Sequence, residues 1–141
     1  MKILVIGSGG REHAICRALA TASPAPALIC APGNGGTADL AKNMAVQADD
    51  VTGIVRLAQA ERVDFVVVGP ELPLVLGVSE ALAKVGIPCV GPSQAAARLE
   101  GSKAFTRQIA DAVGAPSPHF VLTRREAELA WALDAWERPP V

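Results

Sequence analysis

The sequence predicts an α/β fold built on one parallel sheet with helices on both faces, and three observations carry that expectation. Short β-rich runs recur at 2–6, 27–30, 44–47, 65–69 and 87–91. Helical patterns lie between several of them, at 14–22, 51–60 and 75–85, and strand alternating with helix is the mark of parallel pairing. The runs are also nearly continuous in apolar residues, "FVVV" at 65–68 most plainly, which suits strands covered on both faces. Ligands of such sheets sit outside the carboxyl ends of the strands. Three strand-end loops are therefore the places to look: "GSGGREH" (7–13), "APGNGG" (31–36) and "GPELPL" (69–74).

Taken in order, "KILVI" (2–6) reads as a first strand. Its short apolar run ends in turn residues, too soon for a secretory signal core and far too soon for a membrane span. Four small residues, Gly7 to Gly10, break it before the first helical pattern. The Ala-rich stretch "LATASPAPALICAP" (19–32) is a helix end, a turn and the second strand rather than low complexity. "MAVQ" (44–47) is the third strand, and Asp49 and Asp50 open the helix at 51–60. "FVVVG" (65–69) is the fourth strand, Gly86 closes the helix at 75–85, and "IPCVG" (87–91) is the fifth.

After Gly101 the rhythm changes. Ser102 can cap a helix running to about Val113, "GAPSPHFVL" (114–122) supplies a turn and an extended piece, and Thr123 can cap a helix through Trp136. Val141 follows two prolines and reads as the first residue of another buried strand. The expected organisation is a domain over 1–101 and the cut-short beginning of a second over 102–141.

Composition bounds the function. Half of the 141 residues are hydrophobic, 19% are charged and the net charge is −1, so a chain of this length can bury roughly two thirds of its unfolded surface in a real core. Nothing in that balance suggests disorder or a general footprint for nucleic acid or an anionic membrane. Cys16, Cys30 and Cys89 are odd in number and embedded in apolar runs, as reduced buried thiols are rather than disulfides or zinc ligands, and the expected compartment is the cytoplasm.

The glycine loop approximates a dinucleotide fingerprint without matching it. That pattern, G-x-G-x-x-G, needs a third glycine and an acidic residue about 20 residues on. Here Glu12 holds the third position, and the second strand ends in "CAPGNGG" with no carboxylate at its tip. Gly7, Gly9 and Gly10 could simply make a tight turn. Alternatively, the backbone N–H groups of a loop running into a helix form an anion site suited to phosphate. Arg11 and His13 could assist there, whereas Glu12 would repel a phosphate unless it faces away to accept from a ligand amine or hydroxyl.

Taken together, "GSGGREHA", "APGNGG", "VVVGPELPLVLG", "GIPCVGPS" and "AARLEGSKAFTRQI" resemble the glycinamide ribonucleotide synthetases, the phosphoribosylamine–glycine ligases of purine synthesis. Five motifs in the family's order make the resemblance specific, and it extends through almost the whole chain. It implies a Rossmann-like pre-ATP-grasp domain over 1–101, followed by the opening elements of an ATP-grasp domain. It also implies a reaction: ATP converts the glycine carboxylate into an acyl phosphate, which the amine of 5-phosphoribosylamine attacks.

Carried over by motif, Gly9, Gly10 and Arg11 hold the phosphoribosyl substrate and Glu71 accepts from its ribose hydroxyls. Asn34, Gly35 and Gly36 line the same cleft. Lys103 of "EGSKAF" is directed at the phosphates of ATP; a lysine in a helix's first turn is otherwise disfavoured by the dipole. The resemblance places the "KADG" strand, the adenine pocket and the magnesium ligands beyond residue 141, so no metal ligand and no catalytic residue is expected here, and the chain alone is expected to be inactive. The alternatives are a non-catalytic phosphoribosyl-binding fragment and a nicotinamide-dependent oxidoreductase. Partners are small molecules only, neither nucleic acid nor membrane.

Overall fold

The computed structural model describes residues 1–135. Strand β1 (Lys2–Gly7) leads through helix α1 (Gly10–Ala20) to β2 (Ala27–Pro32), and the short α2 (Gly35–Ala38) leads to β3 (Lys42–Asn43). Helix α3 (Val51–Ala60) crosses back to β4 (Phe65–Val68), and α4 (Glu71–Val75) and α5 (Val78–Lys84) connect it to β5 (Cys89–Val90). All pairings are parallel and the spatial order is β3-β2-β1-β4-β5. The chain thus winds outward from β1 to one edge, then restarts beside β1 and winds to the other.

Alternation along β1 divides the interior. Leu4 and Ile6 face one side, packed with Ile54, Leu57 and Ala58 of α3 and Val78 and Leu82 of α5. Ile3 and Val5 face the other side with Cys16 of α1 and Leu28 and Cys30 of β2. A strand period of two sends successive side chains to opposite faces, so a continuously apolar strand feeds two cores. The α1 side is the thinner one: Phe65 and Val67 are only half-buried there, while Val66 and Val68 on the other side are buried.

Several boundaries differ from expectation. The third ladder forms at Lys42–Asn43, where the edge strand needs partners on one side only. Met44 and Val46 of the expected strand still pack on the core, but Val46 N–H turns back to the Met44 carbonyl at 2.7 Å. Helix α1 begins at Gly10 rather than Ala14, because the loop glycines serve as its cap and first turn. Gly77, at φ +89°, splits the expected helix at 75–85 into α4 and α5. Helix α6 (Gln94–Gly101) has no counterpart among the expected elements.

By contacts the chain separates into Met1–Gly101 and a unit that starts at Ser102. In the second unit, α7 (Lys103–Ala112) is capped by Ser102, whose hydroxyl accepts from Phe105 N–H at 3.3 Å. Helix α8 (Glu126–Asp134) starts after Arg125, not at Thr123, and Glu128 accepts from the Arg124 N–H and the Arg125 guanidinium. The expected helix end at Trp136 and strand start at Val141 lie outside the described residues. Cys16 and Cys30 are buried and Cys89 half-buried, all as free thiols. No helix among the described residues is long and apolar enough to cross a membrane.

Candidate functional site

The strand order reverses at β1, so the loops after β1 and β4 diverge from neighbouring strand ends and leave a crevice between them. A cleft of about 500 Å³ opens there, lined by Gly7 to Glu12 from the first loop, Pro70 to Leu72 from the other, and Ala48. The backbone turns sharply at Gly7, φ +129°, a conformation that side-chain-bearing residues rarely adopt. Gly9 then caps α1. The N–H groups of Gly10 and Arg11 fall in the first helical turn, where no intrahelical acceptor exists, and the positive end of the helix dipole adds to them.

Side chains tie the two loops together. Arg11 Nη1 donates to the Gly69 carbonyl at 2.5 Å, bridging 58 positions of sequence. Glu71 is exposed as the first residue of α4, and among the described residues its carboxylate has neither a hydrogen-bond nor an ion-pair partner. The cleft therefore presents a guanidinium and two helical N–H groups from one wall and a carboxylate from the other.

Glu12 occupies a place the sequence reading left open. It is 4% exposed, and its Oε2 accepts from Gly9 N–H at 2.6 Å, closing the N-terminus of its own helix. The glycines of both loops make room for it: a Cβ at Gly7 would lie 2.6 Å from its Cδ, and one at Gly69 would lie 2.0 Å from its Oε1. The carboxylate at the third position of a glycine fingerprint was the one signal the sequence offered; its burial against Gly69 depends on the pairing of β1 with β4.

Asn34, Gly35 and Gly36 stand beside this cleft and are not among its lining residues. Asn34 is consumed as a brace: its Nδ2 donates to the carbonyls of Ser8 at 2.8 Å and Gly9 at 3.1 Å, while its Oδ1 accepts from Thr37 N–H at 2.9 Å. The buried Thr37 hydroxyl and Asn43 complete the brace, Asn43 Nδ2 donating to the Asn34 carbonyl at 2.8 Å. His13 packs against Gly36, where a Cβ would come within 2.7 Å of the imidazole. The Asn43 contribution could not have been foreseen, since nothing in its sequence neighbourhood marks it. Lys103 is exposed as the first residue of α7, in the second unit.

Burial pushes the Cys16 thiol up to about 12, with the neighbouring Cys30 adding to the effect. Cys30 is raised by burial as well. These thiols beneath the loop stay protonated and serve as small apolar fillers.

Comparison with known proteins adds an independent line. The family model described as "Phosphoribosylglycinamide synthetase, N domain" matches residues 1–100. The chain is 48% identical over 141 residues to the phosphoribosylamine–glycine ligase of Mycobacterium leprae, covering all of this chain and 33% of that one. With the enzyme of the same name from Allochromatium vinosum it is 47% identical over 134 residues, covering 93% and 31% respectively. The chain thus spans about a third of the length of the curated relatives it matches. The crystal structure of the phosphoribosylamine–glycine ligase from Thermotoga maritima superposes with a TM-score of 0.66 at 24% identity, over 97% of this chain and 31% of that one.

Proposed function

Because the chain belongs to the phosphoribosylglycinamide synthetase family and carries its N domain, we propose that it forms the sugar-phosphate half of a ligase that joins glycine to 5-phosphoribosylamine at the expense of ATP. The observation that carries the reading is the cleft at the switch point, where Gly9, Gly10, Arg11 and Glu71 converge from two strand ends. In this proposal the Gly10 and Arg11 N–H groups hold the phosphate, helped by the dipole of α1. Glu71 accepts from the ribose hydroxyls, a charge-assisted contact that orients the sugar. Asn34, Gly35 and Gly36 act one step back, with Asn34 fixing the shape of the first loop.

The reaction needs the glycine carboxylate activated as an acyl phosphate, which the sugar-borne amine attacks with loss of phosphate. The contribution of these residues is positional: a phosphate anchored at one end and hydroxyls at the other fix the direction in which the amine points. Lys103 is proposed to reach the phosphates of ATP. For magnesium the described residues do not fit, since they gather no group of three or more His, Cys, Asp or Glu side chains. A nicotinamide cofactor is disfavoured by the carboxylate that fills the fingerprint's third position and by the lack of an acid at the tip of β2.

The test is calorimetric titration of the 141-residue chain with ribose 5-phosphate, which keeps the phosphate and hydroxyls and lacks the labile amine. Saturable binding that Glu71→Ala weakens about tenfold is expected, the loss of one charge-assisted hydrogen bond, whereas Arg11→Ala, which keeps its own N–H and loses the guanidinium tie to the Gly69 carbonyl, weakens it by less. Binding that neither substitution alters would refute the placement.

A further inference from the structure

Glu12 is a buried carboxylate at the edge of a cleft proposed to take an anion, an arrangement that the fold alone does not require. Among the described residues it has no cationic partner, and one of its two oxygens, Oε2, accepts from Gly9 N–H. In the dinucleotide pattern the second glycine lets the backbone approach a pyrophosphate and the third lets the helix pack close to the strand. Gly9 is that second glycine here, and its N–H is already bonded to the side chain standing at the third position. The space around Gly7 and Gly69 is filled by the same carboxylate.

We propose that Glu12 is the specificity-determining residue of this cleft, a built-in anion that admits a terminal phosphate monoester and rejects a diphosphate bridge. The inference rests on the reading of the cleft as a sugar-phosphate site. A monoester needs only the outer donors, the N–H groups of Gly10 and Arg11, and its charge stays at the mouth. A diphosphate bridge runs deeper along the loop, toward Gly9, and there meets a donor that is occupied and a negative charge that repels it. Seated in the room that Gly7 and Gly69 leave, the carboxylate is held by the hydrogen bond from Gly9 N–H, which fixes where its charge lies.

Glu12→Gln separates charge from filling, because the amide oxygen can still accept from Gly9 N–H while the charge is gone. The probes are ribose 5-phosphate and ADP-ribose, titrated into the unaltered chain and the variant, with thermal unfolding as the control for folding. The unaltered chain is expected to prefer ribose 5-phosphate. Glu12→Gln is expected to tighten ADP-ribose by about tenfold, the scale of one charge-assisted interaction, with ribose 5-phosphate changed less than about threefold. A folded Glu12→Gln chain with an unchanged preference overturns the inference and leaves the sugar-phosphate reading standing. Failure of the unaltered chain to bind ribose 5-phosphate overturns that reading and this inference with it. If Glu12→Gln does not fold, Glu12→Asp decides: it keeps the charge while withdrawing from Gly9 N–H, so the preference must persist, and its loss overturns the role assigned to charge.

Discussion

Replacing Gly69 by alanine tests how tightly the two loops close on Glu12. The new Cβ would stand 2.0 Å from Glu12 Oε1 and 2.6 Å from its Cδ, so the carboxylate must leave its seat and with it the 2.6 Å bond from Gly9 N–H. A hydrogen bond to a charged group is worth about 1.5–3 kcal/mol, and the lower backbone entropy of alanine in the unfolded chain returns about 0.4–1 kcal/mol, because Gly69 has no positive φ. Gly69→Ala should therefore destabilise the chain by about 1–2 kcal/mol, a fall in Tm of about 3 °C per kcal/mol for this length. In a Glu12→Ala background the seat is empty and the same substitution should be neutral or mildly stabilising. The coupling energy between the two positions, measured by urea denaturation of both single variants and the double variant, is expected to be about 1.5–3 kcal/mol. If Gly69→Ala costs the same in both backgrounds, the carboxylate is not what demands glycine at the end of β4.

Asn34→Ala removes a helix cap and both bonds to the first loop, so it should cost about 1–2 kcal/mol. It should also weaken ribose 5-phosphate several-fold without Asn34 touching the ligand; calorimetry showing full affinity would free the loop from its brace. The raised Cys16 thiol holds its proton in the folded chain while the unfolded thiol loses it near 9, so stability is full below about 9 and declines as pH rises toward about 12. Urea denaturation from pH 8 to 11 should show this decline shallower in Cys16→Ala, and identical slopes would count against it. In the proposed intact ligase, Glu71→Ala should impair use of phosphoribosylamine and Lys103→Ala use of ATP. Steady-state kinetics in which Glu71→Ala raised the KM for ATP alone would misplace the sugar cleft.

Much of the sheet was legible because parallel strands covered on both faces must be apolar throughout, and "KILVI" and "FVVV" have no other use. The third strand was misplaced for the converse reason. At an edge, backbone pairing can use polar Lys42 and Asn43, with a last bond from Met44 N–H to the Cys30 carbonyl, while Val46 packs on the core with its N–H turned back to Met44, so hydrophobicity marked the core contact more than the ladder. The glycine loop was legible as a sharp turn into a helix. Which groups fill it was not, because Glu12 meets Gly69 only through the adjacency of β1 and β4, and Asn43 joins Asn34 only through the edge strand. Contacts of that kind depend on topology, which local pattern does not carry.

The earliest strand of this sheet in chain order is also the central one. β1 is joined to β2 by a short crossover, but its other side waits for β4, some sixty residues further along the chain. During synthesis an apolar strand therefore stays open along one edge until that partner has emerged, the condition in which strands recruit the wrong neighbour. The cleft is created by the same event, since one wall belongs to β1 and the other to β4. A nascent chain that can hold a sugar phosphate has by that fact completed its most exposed pairing, and abundant ligand at that moment would pull the equilibrium toward the correctly paired sheet.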